Sequence, residues 1–195
     1  GHDAIVAAAQ MIQMIQNYVA RENNPLEPLV ISIGRIQGGH QRNTLADYVK
    51  MEGTVRTYSL QSRKAAEKNL QKIAAAAAET MGCTAKLQYR YMLPPLVNHE
   101  CLVSLAGKAA EKLFGEESIV RLPAVMASED FAFYTEKVPG IYINIGCAYP
   151  GKEEGNANYS SSFQVDEKVL KNGTALCVQF VLDYLKKGDK GWKNT

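Results

Sequence analysis

Apolar residues recur at helical spacing near the start of the chain. Ile5, Ala8, Ile12, Ile15 and Val19 fall on one face and predict a helix from Asp3 to about Arg21. Asp3 is placed to accept the free N–H groups of its first turn, and Asn23-Asn24-Pro25 stops it. Leu29–Ile36 then alternates, with Leu29, Ile31 and Ile33 against Val30, Ser32 and Gly34, as a strand with one wetter face does. Gly38-Gly39 turns the chain, and residues from about Leu45 to Tyr58 read as a long returning strand. A second helix is predicted from about Ser62 to Met81, anchored by Leu70, Ile73, Ala77 and Met81 and ended by Gly82. Thr84–Met92 reads as a further strand, closed by Pro94-Pro95. A sheet with both helices on one face is the economical way to bury this order of elements, so the pattern supports an α+β sandwich.

Beyond Pro95 the pattern changes. A helix is predicted over about Asn98–Phe114, followed by short elements and loops. Gly140–Gly146, GIYINIG, is an apolar run suited to a buried strand, and a last helix is predicted over about Glu167–Lys186. No internal repeat is present.

The bulk properties narrow the function classes. The 195 residues, 46% hydrophobic, can bury one good core or two small ones. A formal charge of +2, from 22 basic and 20 acidic residues, gives no electrostatic case for a nucleic acid or membrane partner. The Lys-rich end (Lys186, Lys187, Lys190, Lys193) reads as a solvated tail. No apolar run approaches the ~20 residues of a membrane span, and no signal peptide is visible. Cys83, Cys101, Cys147 and Cys177 form no C-x-x-C pair and suit neither a zinc ribbon nor a disulfide framework, so reduced cysteines and a cytoplasmic setting are expected. No nucleophile elbow, phosphate loop or dinucleotide turn occurs, and Ser160–Ser162 lack a nearby base.

Two side chains in Gly38–Thr57 carry candidate chemistry: the carboxamide of Asn43 and the guanidinium of Arg56, thirteen positions on. A guanidinium pairs a carboxylate through two parallel bonds, and an amide adds an orientable donor. On neighbouring strands of the right parity both would face one cleft; taken singly, they also suit a turn Asn and a solvated strand Arg. Ser128 reads as a helix cap, and Glu129 and Asp130 suit the positive end of the helix that it would start. His40 reads as a solvated turn residue and His99 as a surface helix position.

These segments together resemble the M20 metallopeptidases, and most of all their amidohydrolase branch, which includes hippurate, N-acyl-amino-acid and indole-acetyl-amino-acid hydrolases. Gly38-Gly39 with Asn43 and Asp47, then Gly53-Thr54-Val55-Arg56, resembles the family's G-G-x-x-x-N-x-I-x-D … G-T-x-R hairpin, with Ala46 where the family often has Pro. Pro94-Pro95-Leu96-Val97-Asn98 resembles its P-P-x-x-N crossing between domains. Ser128-Glu129-Asp130-Phe131 with Val138-Pro139-Gly140 resembles the rim of its metal site. Tyr159-Ser160-Ser161-Ser162-Phe163-Gln164-Val165-Asp166-Glu167 resembles its H-S-x-x-F-x-V-D-E, with Tyr159 where the metal-binding His stands. A phenol is a poor ligand beside a neutral imidazole.

The resemblance implies an α/β protein: a ferredoxin-like α+β lid or dimerisation domain over residues 1–97, then the C-terminal portion of a catalytic domain over residues 98–195. It implies Asn43 and Arg56 as substrate-carboxylate ligands and Glu129, Asp130 and Tyr159 at the rim of the active site. It also implies a divalent metal pair, zinc or manganese, in the complete enzyme, with no certain metal ligand in this chain, and homodimerisation through the lid. The chain opens on Gly1-His2 without a Met, and the start is expected to be a cut end. The isolated chain is therefore expected to be inactive on N-acyl amino acids. A non-catalytic dimerisation or ligand-binding module with a degenerate metal site is the alternative.

Overall fold

The computed structural model describes residues 1–151 and 158–187. Lys190 and Lys193 of the expected tail lie outside them. The chain forms two compact units: Gly1–Pro95 with Val125–Glu129, and Leu96–Ala124 with the residues from Asp130 onward.

The first unit begins with α1 (Ala4–Asn17), capped by Asp3, whose carboxylate accepts from the N–H groups of Ile5 at 2.9 Å and Val6 at 3.4 Å. The helix continues as a π turn over Tyr18–Glu22, closed by the Asn23 N–H on the Tyr18 carbonyl at 2.9 Å. β1 (Leu29–Gly38) and β2 (Val49–Thr57) pair antiparallel, from Leu29 opposite Thr57 to Gly38 opposite Val49. A bulge between Ile33 and Arg35 gives β1 one extra residue, so the alternation of its side chains shifts there. The returning strand is shorter than expected: residues 45–48 belong to the loop that joins the strands.

α2 (Leu60–Thr80) starts at Ser59 and ends in a Schellman motif. The Cys83 N–H reaches the Ala78 carbonyl at 2.8 Å, the Gly82 N–H reaches Glu79 at 3.0 Å, and Gly82 takes φ 66°. Ile15 and Tyr18, Leu29 and Ile31, and Ala66, Leu70 and Ile73 form one buried cluster. Both helices therefore cover the same face of the sheet, with Met11, Met14, Ile33 and Val55 around it. The sandwich follows from sequence periodicity: a period near four on each helix meets a period of two on each strand.

The expected strand at Thr84–Met92 does not form; among the described residues the sheet has two strands. Side chains hold this extended segment instead. The Tyr91 hydroxyl donates to Glu67 at 2.7 Å, the Arg63 guanidinium lies 4.8 Å from the Tyr91 ring centroid, and Tyr89 packs on the core. Burial raises the Tyr89 pKa, and the Glu67 hydrogen bond raises that of Tyr91.

The second unit is built on α3 (Glu100–Phe114), which buries Leu102, Leu105, Ala106 and Ala109 at helical spacing, and on α5 (Leu170–Lys187), which packs against α3 and buries Leu176. α4 (Ala132–Thr135) is a single turn. The expected strand at Gly140–Gly146 does not form: among the described residues the run joins no sheet, and Tyr142, Ile143 and Ile145 are exposed rather than buried. Asn98 holds its start: the side-chain Nδ2 donates to the Tyr142 carbonyl at 2.9 Å, and Oδ1 accepts from the Tyr142 N–H at 2.8 Å.

Candidate functional site

Each candidate residue takes its position from its own unit. Arg56 lies on β2 opposite Val30, and Thr54, Glu52 and Lys50 precede it on the same open face of the sheet. Odd-numbered residues of β2 turn toward the helices, so the strand's period of two exposes Arg56. Its Nη1 donates to the Met126 carbonyl at 2.6 Å, a contact across seventy positions of sequence that joins β2 to the returning segment Val125–Glu129. No ion pair to Arg56 occurs among the described residues; the nearby carboxylate, Glu52, is held by Lys50 at 2.8 Å and Arg35 at 3.3 Å. The Lys50 hydrogen bond, helped by both positive charges, lowers the Glu52 pKa.

Asn43 is not on a strand. It sits exposed in a turn of the loop over residues 39–48, beyond the end of the hairpin where Gly38 faces Val49. That loop is fixed to the start of α1, where the Ala4 N–H donates to the Ala46 carbonyl at 2.8 Å. Arg56 lies seven residues down β2 from Val49, about 23 Å at the usual rise per strand residue. The structure therefore does not bring the two side chains into one cleft within a single chain. Their separation follows from the strand's late start, which the sequence pattern does not mark.

Glu129 is half-buried and belongs to the first unit with Val125–Ser128. Asp130 is exposed and opens the turn into α4, its carbonyl accepting from the Phe133 N–H at 3.0 Å. Ser128 does not cap that helix: Phe131 occupies the cap position and gives no side-chain bond. Tyr159 is fully exposed at 105% and has φ 67°, a left-handed conformation that costs a non-glycine residue energy. The Ser160 hydroxyl below it pairs with Ser162 at 2.8 Å.

The histidines are dispersed. His2 Nδ1 lies 3.4 Å from the Met81 carbonyl, and His40 pairs with Asp47 at 3.4 Å in the exposed loop. His99 is not an exposed helix residue: it is half-buried at the cap position of α3, with Nδ1 buried and unpartnered. It lines an open cavity of about 420 Å³ with Asn98, Glu100, Thr135 and Gly140. No group of three His, Cys, Asp or Glu side chains able to hold a metal occurs among the described residues. With Tyr159 pointing into solvent, these residues do not fit a metal pair.

Sequence reasoning missed the Met126 carbonyl, because a main-chain acceptor leaves no mark in residue type. The tie from Asn98 to Tyr142 was visible only as an Asn after a Pro pair.

Comparison with known proteins gives this arrangement a family. Residues 1–81 match the family described as the peptidase dimerisation domain. A probable hydrolase of Synechocystis is 32% identical over 88% of this chain and 44% of its own length, and an N-acetylcysteine deacetylase of Bacillus subtilis is 34% identical over 86% and 42%. The chain thus spans less than half the length of these relatives. Among solved structures, a putative aminohydrolase from methicillin-resistant Staphylococcus aureus superposes with a TM-score of 0.82 at 28% identity, covering 94% of this chain and 47% of that one. The Bacillus subtilis YXEP protein, described as a dinuclear metal-binding peptidase of the M20 family, gives 0.78 at 28% identity with the same coverage. Residues 1–81 of the two-stranded, helix-backed first unit match the family's dimerisation domain, and the chain belongs to the M20 peptidase family.

Proposed function

We propose that this chain is the lid and the C-terminal part of an amidohydrolase that cleaves the amide bond of N-acyl amino acids or similar small carboxylates. The carrying observation is Arg56: an exposed guanidinium with no carboxylate partner among the described residues, on the open face of the lid sheet. In the reaction water adds at the acyl carbon and the C–N bond breaks, giving a carboxylic acid and a free amino acid. Arg56 anchors the substrate carboxylate through its fork and so sets the distance from that anchor to the scissile amide. The relatives' activities support the substrate class, the deacetylase by the small acyl group in its name.

Residues 1–97 act as the lid and residues 98–195 as the catalytic part. Two copies pair through the lid, as the matching domain's description suggests. Asn43 contributes to substrate binding from the hairpin loop. Given the length of β2 between them, it reaches a carboxylate held by Arg56 only when the two come from different copies. Glu129, Asp130 and Tyr159 stand at the rim. The zinc or manganese pair belongs to the complete protein, and no step is assigned to it on these residues. A cytoplasmic setting accords with four cysteines that form no disulfide.

The other reading is a dimerisation or ligand-binding module without catalysis. Tyr159, solvent-directed and in a costly backbone conformation, favours it. Assaying the whole protein that carries these residues on N-acetylcysteine and hippurate decides between them. Release of free amino acid, lost in Arg56→Ala, supports the hydrolase; binding without release supports the module.

A further inference from the structure

Segment Val125–Glu129 returns to the first unit thirty residues after Pro95, and the Arg56–Met126 bond ties that segment to the sheet. Val125 is exposed at 67%, and residues 127 and 128 are exposed as well. No residue of the segment belongs to the buried cluster of the first unit, which lies on the helix side of the sheet. The contact also satisfies a cation with a neutral acceptor. A carboxylate would give the same guanidinium two anionic oxygens matched to its fork, a stronger and more directional partner than one amide oxygen.

We propose that Arg56 is a latch. Without ligand it holds segment Val125–Glu129 against the open face of the sheet; a bound substrate carboxylate takes the guanidinium and releases the segment. Arg56 is then a positioning residue for the segment as well as an anion anchor. The release half rests on the carboxylate-binding reading above; the latch half does not.

Isotope-labelled chain tests both halves by NMR, with backbone order parameters over residues 125–129 and the Met126 carbonyl shift as readouts. In Arg56→Ala the segment's order parameters are expected to fall from about 0.85 toward 0.6 or less, while those of β1 and β2 stay in place. Unchanged order in the variant overturns the latch. N-acetylglycine, added to the wild type until the Arg56 Nε resonance stops shifting, is expected to give the same loosening and the same Met126 shift as the variant. N-acetylglycinamide, which lacks the carboxylate, is expected to give neither. Saturation by N-acetylglycine without loosening overturns the release. An Arg56 resonance that never responds to N-acetylglycine overturns the release together with the carboxylate-binding reading, and leaves the ligand-free comparison to judge the latch.

Discussion

Asn98 pairs with Tyr142 as a strand residue would. Its carboxamide donates to the Tyr142 carbonyl at 2.9 Å and accepts from the Tyr142 N–H at 2.8 Å, so one side chain satisfies both main-chain groups of a residue in a segment that joins no sheet. Beside it the His99 N–H donates to the Gly140 carbonyl at 3.0 Å. These three bonds fasten the exit from Pro94-Pro95 to the start of the 140–146 run.

Truncating Asn98 to Ala removes two of the three and leaves a half-covered N–H and C=O to find water. At about 1 kcal/mol for each net hydrogen bond, Asn98→Ala is expected to cost about 2 kcal/mol. Asn98→Asp keeps the acceptor but places a charge on the Tyr142 carbonyl, so it is expected to be no better. Urea unfolding followed by tyrosine fluorescence measures both. A midpoint unchanged in Asn98→Ala removes the tie from the account of this unit.

What the sequence made legible follows from where the hydrogen bonds go. A helix closes its bonds within itself, and the readings over Asp3–Arg21, Ser62–Met81 and Asn98–Phe114 hold to within a few residues at each end. A strand is defined by a partner elsewhere. The β1–β2 pairing was readable because both strands lie in one hairpin, and their late junction at Val49 was the part missed. Thr84–Met92 and Gly140–Gly146 have strand-like composition, yet α2 side chains hold the first and Asn98 fastens the start of the second. Residue type pointed to Arg56 as an anion ligand. It did not disclose that Met126 already occupies one of its N–H groups, nor that Asn43 lies beyond the far end of the hairpin.

The start of α2 rests on a relay of hydroxyls. The Ser59 side chain accepts from the Ser62 N–H at 3.0 Å, and the Ser62 hydroxyl, itself buried, donates to the Glu27 carboxylate. Ser59 thus caps the helix, while Ser62 ties it to the loop before β1. Ser59→Ala is expected to cost about 1 kcal/mol, the usual price of a lost cap, and Ser59→Asp to restore most of it. Paired urea titrations read the difference. Equal stability of Ser59→Ala and wild type would contradict the capping role.

Glu52 gives the open face of the sheet a pH dependence. The Lys50 hydrogen bond and the charges of Lys50 and Arg35 lower its folded pKa below the ordinary value of 4.5. Below 4.5 the unfolded chain takes up this proton before the folded one does. The contribution of Glu52 is therefore fully present above that value and is lost as pH falls through the lower folded value. Glu52→Gln is expected to lose that contribution in the neutral region, a small loss because the group is exposed, to match wild type in acid, and so to flatten the acid limb of the stability profile below pH 4.5. Urea midpoints at a series of pH values, wild type against variant, make the comparison. An acid limb equally steep in both assigns that slope to other carboxylates.

The length of β2 turns the substrate-binding reading into a test of which copy supplies which residue. Arg56 lies about 23 Å by strand rise from Val49, and Asn43 sits in the loop beyond Val49, too far for one small carboxylate to touch both within a chain. In the whole protein, Arg56→Ala and Asn43→Ala are each expected to lower kcat/KM, Arg56→Ala by roughly 10- to 150-fold for a charged hydrogen bond of about 1.5–3 kcal/mol. If the residues act on one substrate from two copies, unfolding and refolding an equal mixture of the two variants makes half the dimers mixed. Each mixed dimer carries one site with both side chains intact, so about a quarter of wild-type activity is expected to return. Refolding either variant alone restores nothing. A mixture as inactive as its components means that the two side chains do not meet on one substrate across a dimer, and the role of Asn43 falls while that of Arg56 stands on its own variant.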